Sequence, residues 1–350
     1  MRVAVVGGGL AGTLAVQQCV ARGVADVRWI DAAGPRASDV PCALVHPFVG
    51  RSFQLRPGLA EAWRASRAWL EALPPAAHVH RAPLWRWLDE NHGASRLERS
   101  WNAHRPQIET LVRGWSGGTA DGAWLAYEPA FGVALGPAVT ALTSALAARG
   151  VCRSAGRVLD LQAEGAGWRV LTTEGDLSVD AVLVAAGRGT AALMASHCPG
   201  VGLADYAGAL RFAPVEAPLA RFHIDGGHLC STRQVAAWGS TYRVLAAGEG
   251  DSGPAIDAAH RGARVAAEAG EGDPGPALDA LEARLRRRED WPVAGEVRTW
   301  SGVRTVEPRR REPWAAQVRP GLFVLSALGS KGGLWTPWLA VRLVDDLVGA

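Results

Sequence analysis

The residues best placed to do chemistry stand at the start of the chain, in a glycine-rich turn. Arg2–Val6 has the apolar pattern of a buried strand and leads directly into Gly7–Gly12, whose spacing is G-x-G-x-x-G. A strand that turns straight into a helix needs positive φ at the first glycine, and the third glycine lets helix and strand pack closely. The second, Gly9, lets a pyrophosphate approach the backbone. The turn therefore predicts a phosphate-binding helix N-terminus.

An acidic residue follows at the spacing that such a turn requires. The first helix ends at Gly23, and the strand Asp26–Ile30 then leads to Asp31, 19 residues after Gly12. A carboxylate here accepts a hydrogen bond from a ribose 2′-hydroxyl and disfavours a 2′-phosphate. The alternative is a cleaved signal peptide, but three consecutive glycines weaken its helical segment and no A-x-A site follows. We therefore predict a dinucleotide site on an N-terminus that stays on the protein.

Composition limits the remaining possibilities. With 350 residues, 48% of them hydrophobic and 20% charged, the chain suits a soluble protein of two lobes. The best candidate for a membrane span, Gly321–Val348, is interrupted by Lys331 and Pro337, so a cytoplasmic protein without membrane contact is expected. The five cysteines lack metal-binding spacing, so no metal is expected. The net charge of +3 does not by itself indicate nucleic acid, although arginines cluster at 284–288 and 309–311.

Apolar periodicity predicts the elements that must position the glycine turn. Helices are predicted at residues 57–73, within 96–115, and at 138–149, 258–267, 277–288 and 334–348. Strands are predicted at 79–88, 157–161, 168–171, 180–186, 297–305 and 322–326, with extended chain at 123–135 and short antiparallel strands over 208–245. Residues 32–57 form a long loop rich in glycine and proline, and such loops in compact proteins are usually functional.

Two further glycine turns follow predicted parallel strands. They lie at Gly187 and at Gly329–Gly333, far from the first turn in sequence. In a doubly wound sheet, ligands bind outside the carboxyl ends of the strands. We therefore expect all three turns to meet at one edge of one sheet.

These segments together resemble the D-amino-acid oxidase superfamily of FAD-dependent oxidoreductases, which includes glycine oxidase, sarcosine oxidase and the C-terminal domain of the tRNA methylaminomethyl-2-thiouridine enzyme. The matching segments follow the family's order and span nearly the whole chain: VAVVGGGLAG with Asp31, CALVHP (42–47), DAVLVAAG (180–187), WGSTY (238–242), SGVRTVEP (301–308) and LFVLSALGSKGGLWTPWLA (322–340). The resemblance implies an α/β fold with a Rossmann-like FAD-binding lobe, formed by residues 1–46, 136–205 and 319–350. A second α+β lobe built on an antiparallel sheet, residues 47–135 and 206–318, would hold the substrate.

The resemblance also implies which residues bind the cofactor. The first glycine turn would meet the FAD pyrophosphate, Asp31 the ribose and Val158 the adenine. The last glycine turn would place amides, a helix dipole and the Lys331 cation at the flavin N1/C2=O edge, where they stabilise an anionic reduced flavin. The implied cofactor-binding residues are Gly7, Gly9, Leu10, Ala11, Gly12, Asp31, Ala43, Leu44, Val158, Ala186, Gly187, Gly329, Ser330, Lys331, Gly332 and Gly333. FAD should be bound non-covalently, because no cysteine follows Arg304 where flavinylated sarcosine oxidases carry theirs.

Three residues are implied as catalytic: Arg304, Lys331 and His46. Arg304 matches the arginine that binds the substrate carboxylate in many members, and a guanidinium fork suits that task. The alternatives are a structural salt bridge for Arg304 and a loop histidine without function for His46. Tyr242, Trp300 and Trp335 could line the pocket or simply pack. The charged segment 307–313 departs from the family pattern and puts the usual small amino-acid pocket in doubt.

Three functions remain open on the sequence. The first is FAD-dependent oxidation of a C–N bond in an amino acid or N-substituted glycine, by hydride transfer to flavin N5 and hydrolysis of the resulting imine. The second keeps FAD but acts on carboxymethylaminomethyl-uridine in tRNA, with Arg309–Arg311 meeting phosphates. The third is a flavoprotein partner without turnover. Small-molecule amines are thus the expected substrates, and tRNA is a possible partner.

Overall fold

The computed structural model describes residues 1–48, 53, 55–88, 94–119, 122–239, 243–245, 274–288, 291 and 293–349. The helices are α1 Leu10–Ala21, α2 Leu59–Glu71, α3 Ala94–Leu111, α4 Leu135–Ala147, α5 Thr190–Met194, α6 Gly275–Leu285 and α7 Gly332–Gly349. The first strands are β1 Arg2–Val6, β2 Asp26–Asp31, β3 Ala43–Val45, β4 His80–Trp87, β5 Arg113–Thr119, β6 Gly122–Val133, β7 Arg153–Ala155, β8 Val158–Glu164, β9 Gly167–Thr172 and β10 Leu177–Val179. The remaining strands are β11 Ala181–Val184, β12 Ala204–Pro214, β13 Phe222–Ile224, β14 His228–Ser231, β15 Val235–Gly239, β16 Arg243–Val244, β17 Arg298–Val306, β18 Trp314–Arg319 and β19 Leu322–Ser326.

A six-stranded sheet carries the N-terminal glycine turn. Its order is β18-β19-β11-β1-β2-β7, and every pair is parallel except β18 with β19. β1, β11 and β19 are almost entirely apolar and buried, as strands covered on both faces must be. The Rossmann-like lobe predicted from the sequence is therefore confirmed. None of the described helices is both long and apolar enough to cross a membrane.

A second, ten-stranded sheet lies beside the first. Its main order is β16-β12-β15-β14-β13-β4-β6-β3, with β17 paired to β12 and β5 paired to β6. All its pairs are antiparallel except β13 with β4. The predicted second lobe on an antiparallel sheet is thus confirmed. A small sheet of β8, β9 and β10 packs on the first lobe.

The prediction of helix as far as Trp115 is wrong at its C-terminal end. α3 ends at Leu111, and Trp115 lies in β5, which pairs along its length with β6. The tertiary contact explains the change, because a side chain at Gly114 would meet the Trp101 indole at 2.3 Å. Glycine here lets β5 pack directly on α3. The predicted helix at 258–267 lies outside the described residues.

The predicted division of the chain into two lobes remains a prediction, but two strands lie on the other side of it. β3, placed in the first lobe, pairs with β6 in the ten-stranded sheet. β18, of which all but its last residue, Arg319, was placed within 206–318, pairs with β19 in the six-stranded sheet. Both strands are short and lie next to a predicted boundary, so the chain passes between the sheets at these points.

Candidate active site

The first glycine turn is shaped by close backbone packing at its two outer glycines. Gly7 has φ of +116°, and a Cβ there would lie 2.2 Å from the Ala185 carbonyl oxygen. A Cβ at Gly12 would lie 1.9 Å from the Gly7 carbonyl oxygen. No side chain fits either position, so both glycines are required by the fold itself.

The middle glycine, Gly9, differs because a Cβ would fit there in ordinary van der Waals contact. The nearest heavy atoms to a Cβ at Gly9 would be Ser38 Oγ at 3.6 Å and Arg36 Cδ at 3.8 Å. Gly9 is the N-cap of α1 without a side-chain hydrogen bond, so the amides of the first turn, including Leu10 and Ala11, lack a capping side chain. Ser38 Oγ is buried and has no hydrogen-bond partner in the described chain. Uncapped amides, the positive end of a helix dipole and a hydroxyl without a hydrogen-bond partner can all interact favourably with the oxygens of a pyrophosphate.

Asp31 ties this turn to the second strand. Its carboxylate accepts a hydrogen bond from the Gly8 amide at 2.8 Å. It also pairs with Arg36 Nη2 at 2.5 Å and lies 3.7 Å from Arg153 Nη1. Asp31 therefore positions the turn as well as lying where the sequence places the ribose contact. The sequence reasoning missed Arg36, Ser38 and Arg153, although the first two belong to the loop that it marked as functional.

The three glycine turns meet as predicted. β1, β11 and β19 are neighbours and parallel, so the turns that follow them share one sheet edge. Gly187 has φ of +54° and open space where a side chain would be. Gly329 has φ of +52°, and its amide donates to the Thr305 carbonyl at 3.1 Å. This last hydrogen bond joins the glycine edge directly to β17, the strand that carries Arg304.

The start of α7 packs against β3 and against the start of α1, two segments that are also implied to meet the cofactor. A Cβ at Gly333 would lie 2.7 Å from Val45 on β3, and one at Gly332 would lie 3.8 Å from Leu10 at the start of α1. Ala43 and Leu44 on β3, like Ala186 beside Gly187, are half-buried. Val158 is buried at the start of β8, in the apolar cluster that contains Ile30 beside Asp31.

One face of the second sheet forms a wall beside this edge. Across β14, β15, β12 and β17, the register aligns His228 with Gly239, Leu210 and Trp300. Directly opposite residues in antiparallel strands point to the same side, so His228 and Trp300 share a face. Arg304 lies four residues beyond Trp300 and shares that face because side chains alternate with period two.

The Trp300 ring extends along this wall. A Cβ at Gly302 would lie 2.3 Å from Trp300 Cη2, so the indole lies flat over Gly302, between its own position and Arg304. Trp335, by contrast, is buried in α7 and packs near Trp338, with ring centroids 5.8 Å apart. Tyr242 lies outside the described residues. Of the aromatic residues singled out from the sequence, the structure therefore places Trp300 on the face that carries Arg304.

His228, which lies near Arg304, and His46, which lies near His228, are both held neutral by their surroundings. Burial, followed by the charge of Arg304, lowers the pKa of His228 to about 4. Burial, then Arg86 and His228, lowers the pKa of His46 well below its usual value. Burial raises the pKa of Tyr127, so its hydroxyl stays protonated, and this hydroxyl shares a hydrogen bond with His46 Nδ1 at 2.8 Å. His46 and Arg304 are thus brought together through His228, which the sequence reasoning missed because nothing in its strand sets this histidine apart.

Lys331 reaches the turn that follows β17 through its side chain. Its backbone amide donates to the Leu328 carbonyl at 2.8 Å within the glycine turn, but its Nζ donates to the Arg311 carbonyl at 2.7 Å. Burial, then the charge of Arg56, lowers its pKa to about 8. The ammonium therefore sits between the glycine edge and the charged turn 307–311. Among the described residues, no group of three or more His, Cys, Asp or Glu side chains is placed to hold a metal.

We expect the neutral His228 to make stability depend on pH below 7. Its folded pKa is depressed, so the unfolded chain takes up a proton below about 6.5 while the folded protein does not until about 4. Stability is therefore present above 6.5 and is lost as pH falls. From pH 7 to pH 5 the loss due to His228 is about 2 kcal/mol at most. Urea unfolding at both pH values checks this, and His228→Gln should reduce the dependence to the part contributed by other groups such as His46, whose pKa is also lowered. An unchanged pH dependence in that variant would show that His228 is not the group responsible.

Comparison with known proteins agrees with this geometry. The sequence matches the DAO family, FAD dependent oxidoreductase, over residues 2–345. A comparison with curated proteins finds no match. Among solved structures, the chain is similar to glycine oxidase from Geobacillus kaustophilus, with 23% identity and a TM-score of 0.74 over 99% of this chain and 94% of that one.

Two further solved structures, with lower sequence identity, are similar over the same share of this chain. The chain is similar to iminodiacetate oxidase from Chelativorans sp. BNC1, with 16% identity and a TM-score of 0.75 over 99% of this chain and 95% of that one. It is also similar to L-proline dehydrogenase from P. horikoshii, with 12% identity and a TM-score of 0.74 over 99% and 93%. These structures show a shared fold, and the family match spans nearly the whole sequence. This chain therefore belongs to the DAO family of FAD-dependent oxidoreductases.

Proposed function

We propose that the protein oxidises a C–N bond in an amino acid or N-substituted glycine, using non-covalently bound FAD. The observation that carries the proposal is the position of Arg304. Arg304 is half-buried and lies on the wall, next to Thr305. The Thr305 carbonyl accepts a hydrogen bond from the Gly329 amide, in the glycine turn at the sheet edge. A carboxylate held by Arg304 would thus lie beside the cofactor site.

The described residues suit FAD. The amides of Gly9, Leu10 and Ala11, with the Ser38 hydroxyl, would hold the pyrophosphate, and Asp31 would hold the ribose. Gly187 would line the ADP moiety, and the Gly329–Gly333 turn would meet the flavin ring. Bound FAD supplies the acceptor for a hydride from the carbon next to the substrate nitrogen. Non-covalent binding is supported by the sequence, which has no cysteine after Cys230, and by Cys42, whose Sγ lies 3.4 Å from Cys230 Sγ in the core.

The roles of the wall residues follow from charge. Arg304 would hold the substrate carboxylate through a two-pronged hydrogen bond. The bound carboxylate would offset the Arg304 charge that lowers the pKa of His228, making this imidazole a better hydrogen-bond acceptor for the substrate amine. His46, fixed by Tyr127, would orient His228 from behind. The wall would thus fix the carboxylate and the amine of one substrate. The imine product would then hydrolyse.

A second candidate substrate is carboxymethylaminomethyl-uridine in tRNA. The observation that favours it is the exposed turn at Arg309–Arg311, which the Lys331 side chain joins to the glycine edge. Three exposed arginines could meet RNA phosphates, and their contribution would depend strongly on salt.

Anaerobic reduction of the purified protein tests the proposal. We expect a yellow protein with one FAD per chain, colour released into solution by acid, and bleaching by glycine derivatives. Colour that stays with the acid precipitate would contradict non-covalent binding, and a colourless protein that binds NAD would contradict FAD. Bleaching by tRNA alone would select the second candidate. A yellow protein bleached by neither would contradict turnover of either substrate.

A further inference from the structure

A cleft outside the Arg304 wall is lined by residues from three separate segments. Its volume is about 470 Å³, and its lining residues are Leu55, Arg56, Pro57, His104, Arg310 and Glu312. The first three precede α2, His104 lies on α3, and Arg310 and Glu312 belong to the turn between β17 and β18. This is the charged segment that departs from the family pattern.

Positive charge dominates the cleft. Arg56 and Arg310 line it, and Lys331 lies close enough to Arg56 for that charge to lower its pKa. The one carboxylate in the lining is Glu312, which pairs with Arg56 Nη1 at 3.2 Å. Glu307, the other acid of the turn, accepts hydrogen bonds from the backbone amides of residues 309 and 310. Its carboxylate shapes the turn and is directed to the backbone.

Another anion can replace Glu312 as the partner of Arg56. The two side chains are 31% and 51% exposed, and an ion pair as open as this contributes little to stability. A phosphate or carboxylate offers the same oxygen geometry to the guanidinium fork, and a phosphate carries more charge. The cleft is therefore suited to an incoming anion that competes with Glu312.

Lys331 connects the cleft to the reaction site. Its backbone belongs to the glycine turn, one residue before α7, while its Nζ donates to the Arg311 carbonyl at 2.7 Å. Arg310 is the preceding residue in that same turn. The Lys331 side chain therefore spans from the glycine edge to the turn that lines the cleft.

We propose that this cleft binds an anionic group, phosphate or carboxylate, at the far end of the amine substrate, with Arg56 and Arg310 as its ligands. The substrate class would be an amino acid or N-substituted glycine with a second anionic group remote from the reacting carbon. The proposal rests on the proposed oxidation of a C–N bond. It also gives the charged segment 307–313 a role in selecting substrates.

Calorimetry of the FAD-bound protein with inorganic phosphate, at low ionic strength, tests the cleft directly. Arg310→Gln should weaken binding at least about ten-fold, because a charge-assisted hydrogen bond is lost. Arg309→Gln is the matched control, since Arg309 is also exposed on the same turn but does not line the cleft. Glu312→Gln should tighten binding by removing the competing carboxylate, a gain that a damaged fold would not produce. Equal phosphate affinity in wild type, Arg310→Gln and Glu312→Gln would overturn the proposal.

Substrate pairs provide the second test. N-substituted glycines that differ only in a terminal phosphate or hydroxyl should differ in kcat/KM at least about ten-fold in favour of the phosphate, and Arg310→Gln should lower that ratio. Equal kcat/KM for the pair in the wild type would overturn the cleft proposal alone. Absence of turnover with every N-substituted glycine would contradict the oxidation, while calorimetry would still report on the cleft. Displacement of phosphate by tRNA, but not by a phosphorylated amine, would overturn the small-molecule source.

Discussion

Replacing Arg304 with alanine is expected to lower kcat/KM roughly thirty-fold to several-thousand-fold. This corresponds to a loss of about 2–5 kcal/mol in the free energy of transition-state binding. The loss is large because the substrate carboxylate would remain in a half-buried site without its counter-charge. FAD content should not change, because Arg304 lies on β17 and the residues proposed to bind FAD lie on other segments. The measurement is kcat/KM together with the flavin absorption spectrum.

Two further variants test whether the loss is specific to the Arg304 guanidinium. Arg304→Lys keeps the charge but loses the planar fork, so it should recover only part of the activity. Arg298→Ala is the matched control, because Arg298 begins the same strand but forms an exposed ion pair with Glu296 at 3.2 Å. Normal turnover by Arg304→Ala, or loss of its FAD, would contradict the role as a carboxylate clamp. Normal turnover would also direct attention to substrates without a carboxylate.

The second large effect is expected at Gly9. Gly9→Val should abolish FAD binding, because the side chain would enter the position proposed for the pyrophosphate. The fold itself should persist, since the nearest heavy atoms to a Cβ at this position lie 3.6 Å and 3.8 Å away. FAD titration of the apoprotein, with its thermal unfolding, measures both effects.

Two neighbouring substitutions separate cofactor binding from folding. Gly12→Val should destabilise the protein even without FAD, because a Cβ there would lie 1.9 Å from a backbone oxygen. Asp31→Ala should weaken FAD binding less completely than Gly9→Val, since it removes charge-assisted hydrogen bonds of about 1.5–3 kcal/mol each without adding bulk. Normal FAD content in Gly9→Val would mean that the open face of the turn is not the pyrophosphate site.

The local parts of the site could be predicted from the sequence because their causes are local. Positive φ at Gly7 and close packing at Gly12 are backbone requirements that glycine alone meets, so residue type reveals them. The apolar runs of β1, β11 and β19 are long enough to mark buried parallel strands. Their common edge then follows from the rules of doubly wound sheets. The end of α3 was harder to predict, because it depends on contact between Trp101 and β5.

The sequence by itself determined the Rossmann-like lobe, the three glycine turns, and Arg304 and Asp31 as candidates. Only the tertiary structure decided that His228 shares a face with Arg304 and that Ser38 faces Gly9. Only it brought Arg56 and Arg310 together around one cleft. These contacts join strands and loops far apart in the chain, where strand register and loop packing set the distances. Neither leaves a period or a spacing in the sequence, whereas a glycine turn between a strand and a helix does.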